Sequence, residues 1–341
     1  MTKRQLTLAI DVMGGDFGPR CIIPAISRCL QQHPELNVVL VGSADPVQHL
    51  CRDHVLPPER VRYVFTSDVI LPTDSPSSIL RAKPDASMRV AIEQVRDGAA
   101  HGCLSGGNTG ALMVLAKSVL GTLEGIQRPA IMAALPVAGH ACYVLDLGAN
   151  VDCSAKQLFE FAVMGSEAVS ELTGIARPRV GLLNIGEEIN KGNQQVREVS
   201  EMLRACEELN YIGHVEGGGL FRGQADVVVC DGFVGNIMLK SCEGLADYMR
   251  GETRRALTSS RTLRLMGPLL RRVLRPVFDR HDPGRYNGAT LLGLSGVVVK
   301  SHGSANQAAF EAAIGQAILA SQAGLSQRIA KRLDSCRRPG V

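Results

Sequence analysis

Ser105-Gly106-Gly107-Asn108-Thr109-Gly110 lies between an apolar segment ending at Leu104 and a helical one beginning near Ala111, so a glycine-rich turn joins a strand to a helix. Successive small residues let backbone N–H groups converge on one concavity, and the following helix adds its unpaired amides and the positive end of its dipole. Ser105, Gly106, Gly107, Asn108 and Thr109 are therefore candidate anion ligands. Asn108 and Thr109 can bond the anion or cap the helix. No Lys-Ser or Lys-Thr follows the turn and it lacks the G-x-G-x-x-G spacing, so neither standard nucleotide signature is met. A free phosphate fits as well as a nucleotide, and a capped turn without any ligand accounts for the same residues.

Outward from this turn, short apolar strands alternate with longer periodic helices, the pattern of a parallel sheet covered on both faces. Strands are predicted over Leu6–Val12, Asn37–Val41, Val61–Phe65, Gly102–Leu104, Ala130–Leu135, Cys142–Leu147, Arg179–Ile185, Tyr211–His214, Asp226–Cys230 and Gly296–Lys300. Helices are predicted over Pro19–Gln32, Ala86–Asp97, Ala111–Leu120, Ala155–Leu172, Gln194–Glu208, Gly235–Arg255 and Ala305–Ala323. Residues 1–325 read as one large α/β domain, 255–285 as a basic helical excursion from it, and 326–341 as a basic tail with a frayed, solvated end.

In open sheets of this kind ligands collect at the carboxyl ends of the strands. Those ends hold Asp11 with Gly14, Gly15 and Asp16; Asp146 with Asn150 and Asp152; Asn184 with Glu187, Glu188 and Lys191; Asp231 with Asn236; and Lys300 with His302. Turns need Gly, Asn and Asp but have no need of Lys, His and paired carboxylates, so the strand ends are expected to share one edge and form a site.

Arg261–Arg280 has a different character. Met266, Leu269, Leu270, Val273, Leu274 and Val277 make one helical stripe, with Arg264, Arg271, Arg272 and Arg275 off it and Pro268 and Pro276 interrupting. Such a stripe commonly packs on its own domain. Because Asp279 is the only acid nearby, this one is also a candidate for an anionic membrane surface, at about 1 kcal/mol per arginine.

Of the 341 residues 45% are hydrophobic and 21% charged, enough to bury a sizeable core. The net charge of +4, 4% aromatics and absence of Trp argue against nucleic-acid binding through stacking platforms. Ten cysteines with no C-x-x-C pair or zinc spacing suit a reducing, cytoplasmic setting. No signal-peptide core or membrane-spanning stretch is expected, because Asp11 and Gly14 interrupt the first apolar run.

Ala9–Asp16, Ser105–Gly110, Asp146–Asp152, Gly181–Glu188, Val228–Asn236 and Val298–Ser304, in this order, closely resemble the bacterial phosphate acyltransferase family, the acyl-acyl carrier protein:phosphate transacylases. The resemblance runs from Leu6 to about Ala320. It implies a Rossmann-like three-layer α/β/α sandwich with a mostly parallel sheet, related in shape to phosphotransacetylase and isocitrate dehydrogenase. It further implies transfer of a long acyl group from acyl carrier protein to inorganic phosphate for phospholipid synthesis, a homodimer, and loose membrane association beside a downstream membrane acyltransferase. Two departures stand out. Gly106 replaces a usual alanine, and Pro84 and Ala86 replace a lysine and a serine, while Lys83 and Ser87 are kept.

That chemistry needs the anion oriented, the developing oxyanion stabilised and the thiolate accommodated, with no covalent enzyme intermediate and no cofactor. Lys83, Lys191 and Lys300 are candidates to neutralise phosphate. His302 is a candidate oxyanion donor or proton shuttle, with Lys191 and Asn184 beside it; capping of the next helix at Ser304 explains His302 equally well. Asp11, Gly14, Gly15, Asp16, Asp146, Asn150, Asp152, Glu187, Asp231 and Asn236 are assigned to the substrate and pantetheine region. Clustered Asp with Asn would also suit magnesium, but thioester phosphorolysis does not demand a metal. Arg264, Leu269, Leu270, Arg271, Arg272 and Arg275 would dock membrane or acidic carrier protein. The competing readings are a short-chain phosphotransacetylase, an NAD-linked decarboxylating dehydrogenase, and a membrane-surface scaffold without activity.

Overall fold

The computed structural model describes residues 5–71, 73–137, 139–259, 270, 272 and 283–337. Its strands are β1 (Leu6–Asp11), β2 (Leu36–Gly42), β3 (Val61–Phe65), β4 (Gly102–Ser105), β5 (Ala130–Pro136), β6 (Ala141–Leu145), β7 (Arg179–Asn184), β8 (Asn210–Glu216), β9 (Val227–Val229), β10 (Ala289–Leu292) and β11 (Val297–Lys300). Among the described residues these form one sheet in the order β3-β2-β1-β4-β11-β10-β5-β6-β9-β7-β8.

Strand alternation divides the apolar side chains between the two faces. Leu8, Ile10, Val38, Leu40 and Val299 join a core with helices α1 (Pro19–Gln32), α6 (Ala155–Thr173), α7 (Gln194–Ala205), α10 (Gln307–Gln322) and α11 (Leu325–Arg337). Ala9, Val39, Cys103 and Val298 join a second core with α3 (Pro76–Ala82), α4 (Ser87–Arg96) and α5 (Thr109–Leu120). The outcome is the expected three-layer α/β/α sandwich with a mostly parallel sheet. Further helices among the described residues are α2 (Ala44–Cys51), α8 (Gly217–Leu220) and α9 (Gly232–Thr258). Among the described residues no helix is long and apolar enough to cross a membrane.

Two expectations need correction. The first concerns the strand ends. β10 lies antiparallel to both β11 and β5, and β5 antiparallel to β6. β6, β9, β7 and β8 therefore run opposite to β1, β4 and β11, and their carboxyl ends do not share an edge with the Ser105 turn. Strand sense depends on which strand pairs with which, and the four-residue β10 carries too little pattern to announce itself.

The second concerns the C-terminus. Residues 326–337 are not frayed: α11 buries Leu325, Ile329 and Leu333, an i, i+4, i+8 stripe hidden among charges, against the α6 side of the sheet. Arg328 pairs with Glu171 at 2.6 Å and Arg332 with Glu208 at 2.8 Å, anchoring the helix further. Of the proposed docking residues, Leu270 and Arg272 lie in helical backbone, whereas Arg264, Leu269, Arg271 and Arg275 lie outside the described residues, as does most of 255–285 beyond the end of α9.

Candidate active site

β1, β4 and β11 are neighbours in register, with Asp11 beside Ser105 and Ser105 beside Lys300, so three turns leave the sheet side by side. They interlock backbone to backbone. A Cβ on Gly14 would stand 2.6 Å from the Gly107 nitrogen, and Gly15, at φ 87°, lies against the Gly303 carbonyl. Only glycine tolerates such approach. The Asp16 N–H donates to the Gly303 carbonyl at 2.8 Å and the Ser301 N–H to the Ser105 carbonyl at 2.9 Å.

Beneath the turns Asp11 is buried. It accepts from the Ser105 hydroxyl at 2.7 Å and the Met13 N–H at 3.2 Å, with Ser87 and Gly14 as further donors. Burial raises its pKa and these hydrogen bonds oppose the rise. Asp11 thus braces the β1 and β4 turns and the start of α4 instead of reaching substrate. Asn108 caps α5, accepting from the Ala111 N–H at 2.9 Å, and the first-turn amides of Thr109 and Gly110 have no acceptor within the helix.

The Lys300 ammonium donates to the Gly106 carbonyl at 3.3 Å and to the Ser301 carbonyl. Burial, with help from the Lys240 charge, lowers its pKa to about 8, and Asp11 and Asp16 pull the other way. A lysine whose pKa falls on folding carries its full burial cost below about pH 8 and sheds it as pH rises toward the ordinary lysine range. Relative to a Lys300→Met variant, the parent is therefore expected to gain up to roughly 3 kcal/mol in denaturant titrations between pH 7 and pH 10.

Asn287 fixes the β11 turn. Its Nδ2 donates to the Ser301 hydroxyl and the Ala309 carbonyl, both at 2.8 Å, and its Oδ1 accepts from the His302 N–H at 2.8 Å. The His302 Nδ1 accepts from the Ser304 N–H at 3.2 Å. The next helix is capped by Asn306 rather than by His302 at Ser304; His302 Nδ1 serves the turn before it, and in that tautomer Nε2 carries the ring hydrogen. His302 and Gly106 line one small cavity with Gly14, Gly303, Phe17 and Phe310.

The other candidates stand apart. Lys83 pairs with Asp74 at 2.5 Å and donates to the Val69 carbonyl, and so is engaged elsewhere. Asp146 is fully buried and accepts from the amides of Ile131, Gly148, Ala149 and Asn150 and from the Asn150 side chain. Together with Asn150 it holds the β6 turn rather than offering itself to pantetheine. Asp231 caps α9 by accepting from the Val234 N–H at 2.8 Å, and Asn236 abuts Gly148. Asp152 is exposed after the same turn. Asn184, Glu187 and Lys191 follow β7, six places from β4 in the sheet and on a strand of opposite sense. There Asn184 donates to the Gly186 carbonyl at 3.1 Å and Glu187 accepts from Gln224 at 3.4 Å. Among the described residues no three His, Cys, Asp or Glu side chains converge as a metal site requires.

Lys240 escaped the sequence reading. It lies on α9, with its ammonium 3.5 Å from His302 Nε2. It sits inside a helix rather than at a strand end, so only the tertiary contact reveals it.

Glycine-rich turns and a buried lysine thus adjoin at neighbouring strand ends of an α/β/α sandwich. A family model described as "Fatty acid synthesis protein" matches residues 6–328. The phosphate acyltransferase of Pseudomonas syringae pv. syringae (strain B728a) is 50% identical over 334 residues, 98% of each chain. This chain belongs to that phosphate acyltransferase family and is a transferase. In fold alone it is similar to a phosphotransacetylase from Streptococcus pyogenes (TM-score 0.61, 18% identity, 94% of each chain covered). It is likewise similar to 4-hydroxythreonine-4-phosphate dehydrogenase from Klebsiella pneumoniae (TM-score 0.51, 15% identity, 94% of this chain and 99% of that one covered).

Proposed function

We propose that this chain transfers a long-chain acyl group from acyl carrier protein to inorganic phosphate, giving an acyl phosphate for phospholipid synthesis. The observation that carries the reading is the Gly106 turn, which is held by the buried Lys300 and lines one cavity with the His302 ring. The α5 amides and Lys300 hold phosphate, and a phosphate oxygen attacks the thioester carbonyl carbon. His302 Nε2–H, placed between a non-attacking phosphate oxygen and the thioester carbonyl, shifts to the oxyanion as it forms. The C–S bond then breaks, and the proton that hydrogen phosphate brought is delivered to the departing thiolate, so acyl phosphate and free thiol are the products. Phe17, Cys21, Ile22 and Phe310, which line the same cavity, supply an apolar surface where the acyl portion enters.

Several parts of this reading go beyond the family. Exposed Phe233, Val234, Ile237, Leu245, Tyr248 and Met249 on α9 support a homodimer. The arginine-rich segment after α9 supports reversible contact with acidic carrier protein or an anionic membrane surface next to a downstream acyltransferase, from a cytoplasmic location. Asn184 and Lys191, remote along the sheet, are given no step at this cavity.

Purified protein, palmitoyl-acyl carrier protein and phosphate, with thiol release followed with and without a chelator, test the reading. Release that needs phosphate and survives chelation is expected. Release without phosphate, or none from the carrier-linked thioester, would overturn it. At subsaturating phosphate the rate is expected to fall as pH rises through about 8, where Lys300 loses its charge.

A further inference from the structure

We propose that Lys240 and His302 form the second half of the anion site, a two-donor clamp for a phosphate oxygen beside the β11 turn; the inference rests on the phosphate reading above. The Ser304 N–H donates to His302 Nδ1 at 3.2 Å, and the Ser304 hydroxyl, 2.9 Å from the same nitrogen, can donate to it as well, so in this tautomer Nε2 bears the ring's hydrogen. Facing Nε2 at 3.5 Å is the Lys240 ammonium, which has donors and no acceptor. Two donors directed at each other make no hydrogen bond. They do make a site for an atom that accepts from both, and a phosphate oxygen is such an atom.

The surroundings agree. Glu243 holds Lys240 at 2.7 Å from the next turn of α9, which places the ammonium beside the β11 turn while leaving it further hydrogens to donate. The Lys240 charge is close enough to Lys300 to help lower its pKa, so the two ammonium groups repel each other across the bend. A dianion between them removes that repulsion and is gripped by both. Lys240 thereby supplies the exposed cation that Lys83, tied to Asp74, does not.

Lys240→Gln and Lys240→Arg in the full-length chain test the clamp. Initial rates of thiol release are measured while phosphate and palmitoyl-acyl carrier protein are varied separately, and melting temperatures are recorded with and without phosphate. Losing one charge-assisted bond is expected to raise the KM for phosphate about tenfold to hundredfold in Lys240→Gln. The KM for carrier protein should hold, the phosphate-induced rise in melting temperature should shrink, and Lys240→Arg should keep most of the parent's phosphate affinity. An unchanged phosphate KM in Lys240→Gln, or a rise confined to the carrier-protein KM, would overturn the clamp. A parent enzyme that releases no thiol with phosphate would instead sink the proposed reaction, and the melting shift of parent against Lys240→Gln would still decide whether the clamp binds the anion.

Discussion

His302→Ala is expected to lower turnover between about a hundredfold and a thousandfold, the loss of about 2.7–4 kcal/mol that follows removal of one good oxyanion donor. The ring's two nitrogens divide the work. Nδ1 accepts from the Ser304 N–H and holds the turn, while Nε2 faces the Lys240 ammonium from a ring that lines the cavity shared with Gly106. Alanine removes both functions at once, so a second variant separates them. His302→Asn offers an oxygen where Nδ1 stood but has no donor at the Nε2 position. Turnover should stay low in His302→Asn while its melting temperature returns toward that of the parent. If asparagine restored turnover along with stability, the histidine would be a turn cap and nothing more.

The largest effect on stability is expected at Asp146. This carboxylate is fully buried and accepts five hydrogen bonds, from four backbone amides and the Asn150 side chain, at distances from 2.7 to 3.2 Å. Asp146→Ala leaves those donors without an acceptor in a place water reaches poorly. At roughly 1–3 kcal/mol for each orphaned buried group, partly recovered by relaxation, a loss of about 3–5 kcal/mol is expected in urea titrations. The damage would spread to α9, because a Cβ on Gly235 would already collide with the Asp146 carbonyl. A variant that kept its stability but bound carrier protein poorly would return Asp146 to the substrate region.

These two residues show what a sequence can and cannot separate. That Ser105 and Lys300 end neighbouring strands, with His302 just after, is legible because their residue types exceed what a turn requires and follow short apolar strands. Asp146 has the same credentials, and nothing in its type or spacing separates a carboxylate aimed at a ligand from one knotting its own loop. The difference lies in which amides surround it after folding. Grouping Asn184 and Lys191 with the site requires that all the strands share a direction. Ala289–Leu292, four residues with no distinctive period, reverses that direction through its pairings with β11 and β5. Lys240 was invisible for the opposite reason. It belongs to a well-formed helix, where a lysine between apolar positions looks like a solvated face. The C-terminal helix shows the same masking, its Leu325, Ile329 and Leu333 stripe lost among arginines and lysines.

The central claim is that free phosphate is lodged at the Ser105–Thr109 bend and strikes the thioester from there. Crystallising the protein with orthophosphate tests it most directly. The expected density has phosphate oxygens on the amides of Thr109 and Gly110, near the Lys300 ammonium and within hydrogen-bond distance of His302 Nε2. Phosphate bound instead beside Asn184 and Lys191, with the bend empty, would contradict the account.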